Sequence, residues 1–209
     1  YSLLAAFFQS LGYIAMVFLI IMYLQGIRGL SPLDAALLLT PGYIVGSVLG
    51  PYMGKLSDRI GARFIATGGT MVISAAILIY MTLQVDTSLY VVLIASFVSG
   101  VGTSMFYPAN NSAIMANARE EDYGSVSGTL RMVQNTGILG SYVVAISVAS
   151  ASIPRELAFE VFVGTSVLVG HVTDAFIKGI DAALLVALIL LILAGAMSWS
   201  RGSEQRGSV

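Results

Sequence analysis

Apolar residues run through this chain in long blocks broken by short polar segments. The blocks show neither the stripe of an amphipathic helix nor the alternation of a strand. A bilayer core about 30 Å thick needs about 20 apolar residues per crossing helix. Six stretches meet that length: residues 2–24, 33–53, 64–83, 89–115, 125–153 and 180–199. Within them the charged residues are Asp34, Arg131 and Asp181. The strands of a membrane barrel would alternate with a period of two, and none of these stretches does. The pattern predicts an all-α polytopic membrane bundle, six transmembrane helices over 1–200, with a polar tail at 201–209. A long outer segment spans 154–179. Inside it, residues 157–172 are apolar but short, hold Glu160, and run into His171 and Asp174. An interfacial or hairpin excursion is expected there, with a seventh span as the alternative.

Composition agrees. Of 209 residues, 57% are apolar and 10% charged, against about 45–50% and 25% in soluble domains. The mean hydropathy is +0.89. Such a chain cannot present the polar surface of a soluble enzyme. Ten Lys and Arg against eleven Asp and Glu leave no basic stripe for nucleic acid. Cysteine is absent and His171 is the single histidine. Thiolate, zinc and triad chemistry thus have almost nothing to work with. No enzyme, metal or cofactor is expected, and no phosphate-binding Gly-x-x-x-x-Gly-Lys-Ser/Thr segment occurs.

Lys55, Arg59, Arg63, Arg119, Arg201 and Arg206 fall on one side of the predicted bundle, and Arg28, Arg155 and Lys178 on the other. The positive-inside rule places the first side, and both termini, in the cytoplasm of a multi-pass plasma- or inner-membrane protein. No basic segment precedes the first span and the chain opens on Tyr1, so further sequence is expected upstream.

Several residues inside the spans are not lipid solvents. Gly42, Gly46, Gly50 and Gly54 recur every four residues, a groove for close helix packing or for sliding between helices. Pro41 and Pro51 flank it and bend the helix. Ser31, Pro32 and Asp34 read as a helix start; Asp34 also suits an outer acceptor of protons or cations. Arg131 lies roughly 10 Å into its span. It shares a stripe with Ser127, Gln134 and Ser141, with Asn135 on the adjoining edge. It can snorkel to headgroups, line a cavity or form an ion pair. Tyr107, Asn110 and Asn111 in the fourth span, and Gln9 and Tyr13 in the first, add polar faces that suit either interhelical hydrogen bonds or a shared water-accessible cavity.

The decapeptide Gly54-Lys55-Leu56-Ser57-Asp58-Arg59-Ile60-Gly61-Ala62-Arg63 resembles the signature loop of the major facilitator superfamily, Gly-x-Leu-x-Asp-Arg-x-Gly-Arg/Lys-Arg/Lys. It matches at Gly54, Leu56, Asp58, Arg59, Gly61 and Arg63, with Ala62 where the pattern carries a base. Tyr23-Leu24-Gln25 with Ser31-Pro32-Leu33-Asp34-Ala35-Ala36 is similar to the outer turn of fourteen-span drug:proton antiporters. So is Pro108-Ala109-Asn110-Asn111-Ser112-Ala113-Ile114-Met115, followed by Gly124, Ser127-Gly128 and Arg131, to a later stretch of the same group. The resemblance implies the C-terminal six-span half of a two-half fold built from three-plus-three repeats. It implies alternating access, with Gly54, Asp58, Arg59, Gly61 and Arg63 as a conformational latch.

The implied function is proton-coupled antiport, a multidrug efflux of drugs or other amphipathic molecules. The implied partners are the bilayer, the N-terminal six-span half outside this sequence, a small-molecule substrate and protons. A metabolite carrier, or a membrane scaffold or sensor that does not transport, is the alternative. No carboxylate lies at mid-membrane here, so the proton site is expected in the other half.

Overall fold

The structure, a computed structural model, describes residues 1–152 and 171–201. The excursion expected at 157–172 and the tail beyond 201 lie outside the described residues, save for the backbone of 171 and 172. Among the described residues, six helices are long and apolar enough to cross a membrane: α1 (Ser2–Met22), α2 (Pro32–Ile60), α3 (Ala62–Tyr80), α4 (Leu89–Met115), α5 (Tyr123–Ala149) and α6 (His171–Ser200). A π-helical turn, Tyr23–Ile27, extends α1.

Helix ends depart from the hydropathy limits. The second span was expected to end at 53, yet α2 continues to Ile60 and carries Lys55, Asp58 and Arg59 on its exposed last turns. The expected loop shrinks to Gly61, whose φ of 110° only glycine adopts readily. Its N–H donates to the Ser57 carbonyl at 2.8 Å. At the other end of the chain α6 starts at His171 rather than 180. The reason is shared: hydropathy marks where the membrane ends, whereas intrahelical hydrogen bonds continue into the polar zone. The start of α2 is as read, with Ser31 accepting from the Asp34 N–H at 3.2 Å and Pro32 at the first position.

The helices alternate in direction. α1 packs chiefly on α5 and α6, and α4 on α2 and α3. The first helix of each triplet therefore lodges between the second and third helices of the other, as a nested three-plus-three repeat requires. The main core lies where α1, α3 and α6 meet, around Leu19, Ile20, Ile73, Ile77, Leu184 and Leu191. Cover is uneven: 61% of the α1 span is buried, but only 17% of α2 and 28% of α5.

A close helix contact lies next to Pro41. Proline cannot donate and pushes its carbonyl partner aside, which opens the ladder of α2. Beside it, the Ser96 hydroxyl of α4 accepts from the Gly42 N–H at 3.2 Å and donates to the Leu39 carbonyl at 2.9 Å. This approach needs glycine, since a Cβ on Gly42 would lie 2.4 Å from the Ser96 carbonyl oxygen, and one on Gly100 would lie 2.2 Å from that of Gly42. A second pair, Gly69 with Gly102, joins α3 to α4 in the same way.

Candidate functional site

Thr103, Tyr107 and Asn111 stand one turn apart on α4 and so share one face. That face looks out between α2 and α5, the two helices with least cover. Two clefts open on it and meet at Tyr107. One, of about 290 Å³, is bounded by Tyr13 of α1, by Gly42, Tyr43, Gly46, Ser47 and Gly50 of α2, and by Thr103, Tyr107 and Pro108 of α4. The other, of about 460 Å³, lies between α4 and α5, lined by Tyr107, Asn111, Ser127, Arg131 and Gln134.

The expected site residues divide accordingly. Tyr13, Tyr107, Asn111, Arg131 and Gln134 line the clefts. Asn135 is exposed and lines neither, because it stands on the far side of Arg131 from Gln134. Gln9 is fully buried beneath them; its amide makes no hydrogen bond of ordinary geometry, although the Tyr107 hydroxyl stands beside it. Asn110 is not a cavity residue. It turns about 100° from Asn111 around α4 and ties three helices together. Its amide donates to the Ser2 carbonyl of α1 at 3.2 Å and its oxygen accepts from Arg201, just past α6, at 3.2 Å.

The glycine stripe also divides. Gly42 is a tight crossing, and Gly46 meets Thr103 Oγ1 at 3.4 Å. Gly50 is no packing position, since a Cβ there would meet nothing within 4 Å; it forms part of the cleft floor instead. Gly54 meets Pro108 at an ordinary 3.5 Å. In the signature segment, Asp58 and Arg59 lie exposed on α2. Arg63 turns to α6, its Cζ 4.0 Å above the Trp199 ring, which also meets Phe64 edge to face at 5.5 Å.

Sequence reasoning passed over Tyr43 and Ser47, although both sit one position beyond a stripe glycine. It also passed over the clasp of Arg201 and Asn110, whose partners are 91 residues apart. Among the described residues lining the two clefts no carboxylate occurs, and Arg131 is the one cation. Among the described residues no cluster of metal-ligating side chains occurs. The site can stack rings on tyrosines, donate hydrogen bonds and meet one negative charge.

Comparison with known proteins places this geometry. The profile of the Major Facilitator Superfamily matches residues 1–142. The riboflavin transporter RibZ of Clostridioides difficile is 28% identical over 121 residues, 58% of this chain and 26% of its own length. The uncharacterized MFS-type transporter YcnB of Bacillus subtilis is 29% identical over 88% of this chain and 37% of its own. The lincomycin resistance protein LmrB of Listeria monocytogenes is 26% identical over 93% and 42%. The chain spans between about a quarter and two-fifths of the length of these relatives.

Proposed function

Because the chain belongs to the major facilitator superfamily, we propose that it forms the C-terminal half of a transporter that exports drugs or other amphipathic small molecules in exchange for protons, by alternating access. The observation that carries this reading is the pair of clefts joined at Tyr107, open on the face bordered by α2 and α5. That is half of a central cavity. The other six-helix half would cover α2 and α5 and supply the proton-carrying carboxylates, since the described residues lining these clefts include none. The basic end, with Lys55, Arg59, Arg63 and Arg119, faces the cytoplasm of the cell membrane under the positive-inside rule.

Asp58, Arg59 and the Gly61 turn would then act as the latch between states. Asp58 lies among Lys55, Arg59 and Arg63, where contacts must break and re-form as helix ends separate. The test is flux of a fluorescent drug into proteoliposomes containing the complete polypeptide, under an imposed pH gradient. We expect gradient-dependent flux that Asp58→Asn lowers about tenfold, a barrier change of about 1.4 kcal/mol, with an unchanged melting temperature. Absence of gradient-dependent flux for every amphipathic compound tried would overturn the reading. A metabolite carrier would show flux for polar metabolites alone.

A further inference from the structure

The two clefts differ in lining. Tyr13, Tyr43 and Tyr107 wall the one between α2 and α4. The other ends on Arg131 and Gln134. Arg131 lies eight residues inside α5, about 12 Å from its start. It makes no hydrogen bond or ion pair within the described residues, unlike Arg119, which pairs with Glu121 at 3.7 Å. Close by, the Asn111 amide oxygen is buried without a donor. The NH₂ of the same amide is not buried in this way and is the end that can donate into the cleft. A lone cation within a membrane helix is costly unless water or a counter-charge reaches it.

Resting on the transport reading above, we propose that the transported molecule is an aromatic amphiphile carrying an oxyanion. Its rings lie against Tyr13, Tyr43 and Tyr107, and its oxyanion is held by Arg131 with Gln134 and Asn111. The guanidinium fork matches a carboxylate, sulfonate or phosphate in two parallel hydrogen bonds. Tyrosine rings stack any planar system. They also attract cations, weakly in a wet cleft, so the rings do not choose the sign of the charge. Arg131 does, because among the described residues the cleft linings hold no carboxylate to oppose it. The volumes, about 290 and 460 Å³, suit a drug-sized ligand divided between the clefts.

Fluorescein and rhodamine 123 share a xanthene ring system and differ in charge, anionic against cationic. Their affinities for the complete polypeptide in detergent, read by fluorescence polarisation, test the inference. We expect fluorescein to bind about tenfold tighter than rhodamine 123, and Arg131→Gln to remove that preference by weakening fluorescein alone. Arg131→Lys should keep part of it. If Arg131→Gln does not fold, Gln134→Glu, which sets a carboxylate beside the guanidinium, should have the same effect. Gly50→Trp, filling the tyrosine cleft where a side chain meets no neighbour, should weaken both dyes. Tighter or equal binding of rhodamine 123, fluorescein affinity that neither Arg131→Gln nor Gln134→Glu alters, or binding of neither dye below about 1 mM would overturn it. The oxyanion could also be a lipid headgroup: displacement of fluorescein by vesicles of phosphatidylglycerol, but not of phosphatidylcholine, assigns Arg131 to lipid and overturns it as well. Proton-driven flux of rhodamine 123 indifferent to Arg131→Gln would sink this inference and leave transport standing. Arg131-dependent binding of fluorescein with no flux of any compound would do the reverse.

Discussion

Gly42 and Gly50 lie about two turns apart on α2, yet an added methyl group would meet opposite receptions. At Gly42 it would press on the Ser96 carbonyl at 2.4 Å, backbone that cannot move without parting α2 from α4. Overpacking of this kind costs about 1–3 kcal/mol. Gly42→Ala is therefore expected to lower the melting temperature measurably, whereas Gly50→Ala should leave stability within about 0.5 kcal/mol of the parent. Thermal unfolding of the two variants in detergent decides this, and equal losses would refute the assignment of Gly50 to the cleft. Gly61→Ala forces a Cβ-bearing residue to a φ of 110°, a strain of order 1–3 kcal/mol. Its effect should appear as loss of order at the α2–α3 turn in hydrogen exchange.

At the scale of elements, the bundle is tied at both ends by side chains that reach across helices. At the basic end Asn110 holds Ser2 and Arg201, and Arg63 lies on Trp199. At the other end the Tyr23 hydroxyl donates to the Gln84 carbonyl at 2.7 Å. Arg28 there donates to the carbonyls of Val85 and Thr87. The first set anchors α6 to α1 and α4; the second joins the α1–α2 connection to the α3–α4 connection. A hydrogen bond involving a charged group contributes about 1.5–3 kcal/mol. Asn110→Leu is accordingly expected to speed amide exchange in the last turns of α6 and to leave the α2–α4 contact unaffected. Exchange that rises equally at Gly42 and at Ser200 would show that the clasp is not local.

On the scale of the whole molecule, uneven cover is the telling feature. α2 exposes Leu37, Ile44, Val48 and Tyr52, and α5 exposes Met132, Leu139 and Val143, beside clefts that are polar in part. α3 and α4 expose Met71, Leu78 and Ile94 on another side. Lipid suits the second set, but a cavity facing lipid would leave polar groups without partners. The chain has no cysteine, so single fluorophores can be placed cleanly. In the complete polypeptide, labels at Val48→Cys and Leu139→Cys should be shielded from quenching by brominated lipid, and labels at Leu78→Cys and Ile94→Cys should be quenched strongly. Equal quenching at all four sites would show that no second half covers α2 and α5.

The six long apolar helices and the start of α2 at Ser31 were legible in the sequence, because each rests on local chemistry: the cost of burying charge in lipid, and the capping of a helix end. So was the signature decapeptide, as a string of residues. Neighbouring positions of one motif parted only in three dimensions. Asn110 and Asn111 are adjacent letters, yet one closes a clasp and the other lines a cleft. Gly42 and Gly50 are equal terms of one stripe, but only Gly42 has a helix across from it. Arg63 stands in the signature segment, yet its guanidinium rests on Trp199, which nothing in the motif announces. Span length and caps are properties of a chain with its own backbone and its solvent, and these a sequence carries in full. Which face of a helix meets a neighbour depends on helix directions set jointly by every contact in the bundle, and tertiary packing alone decides it.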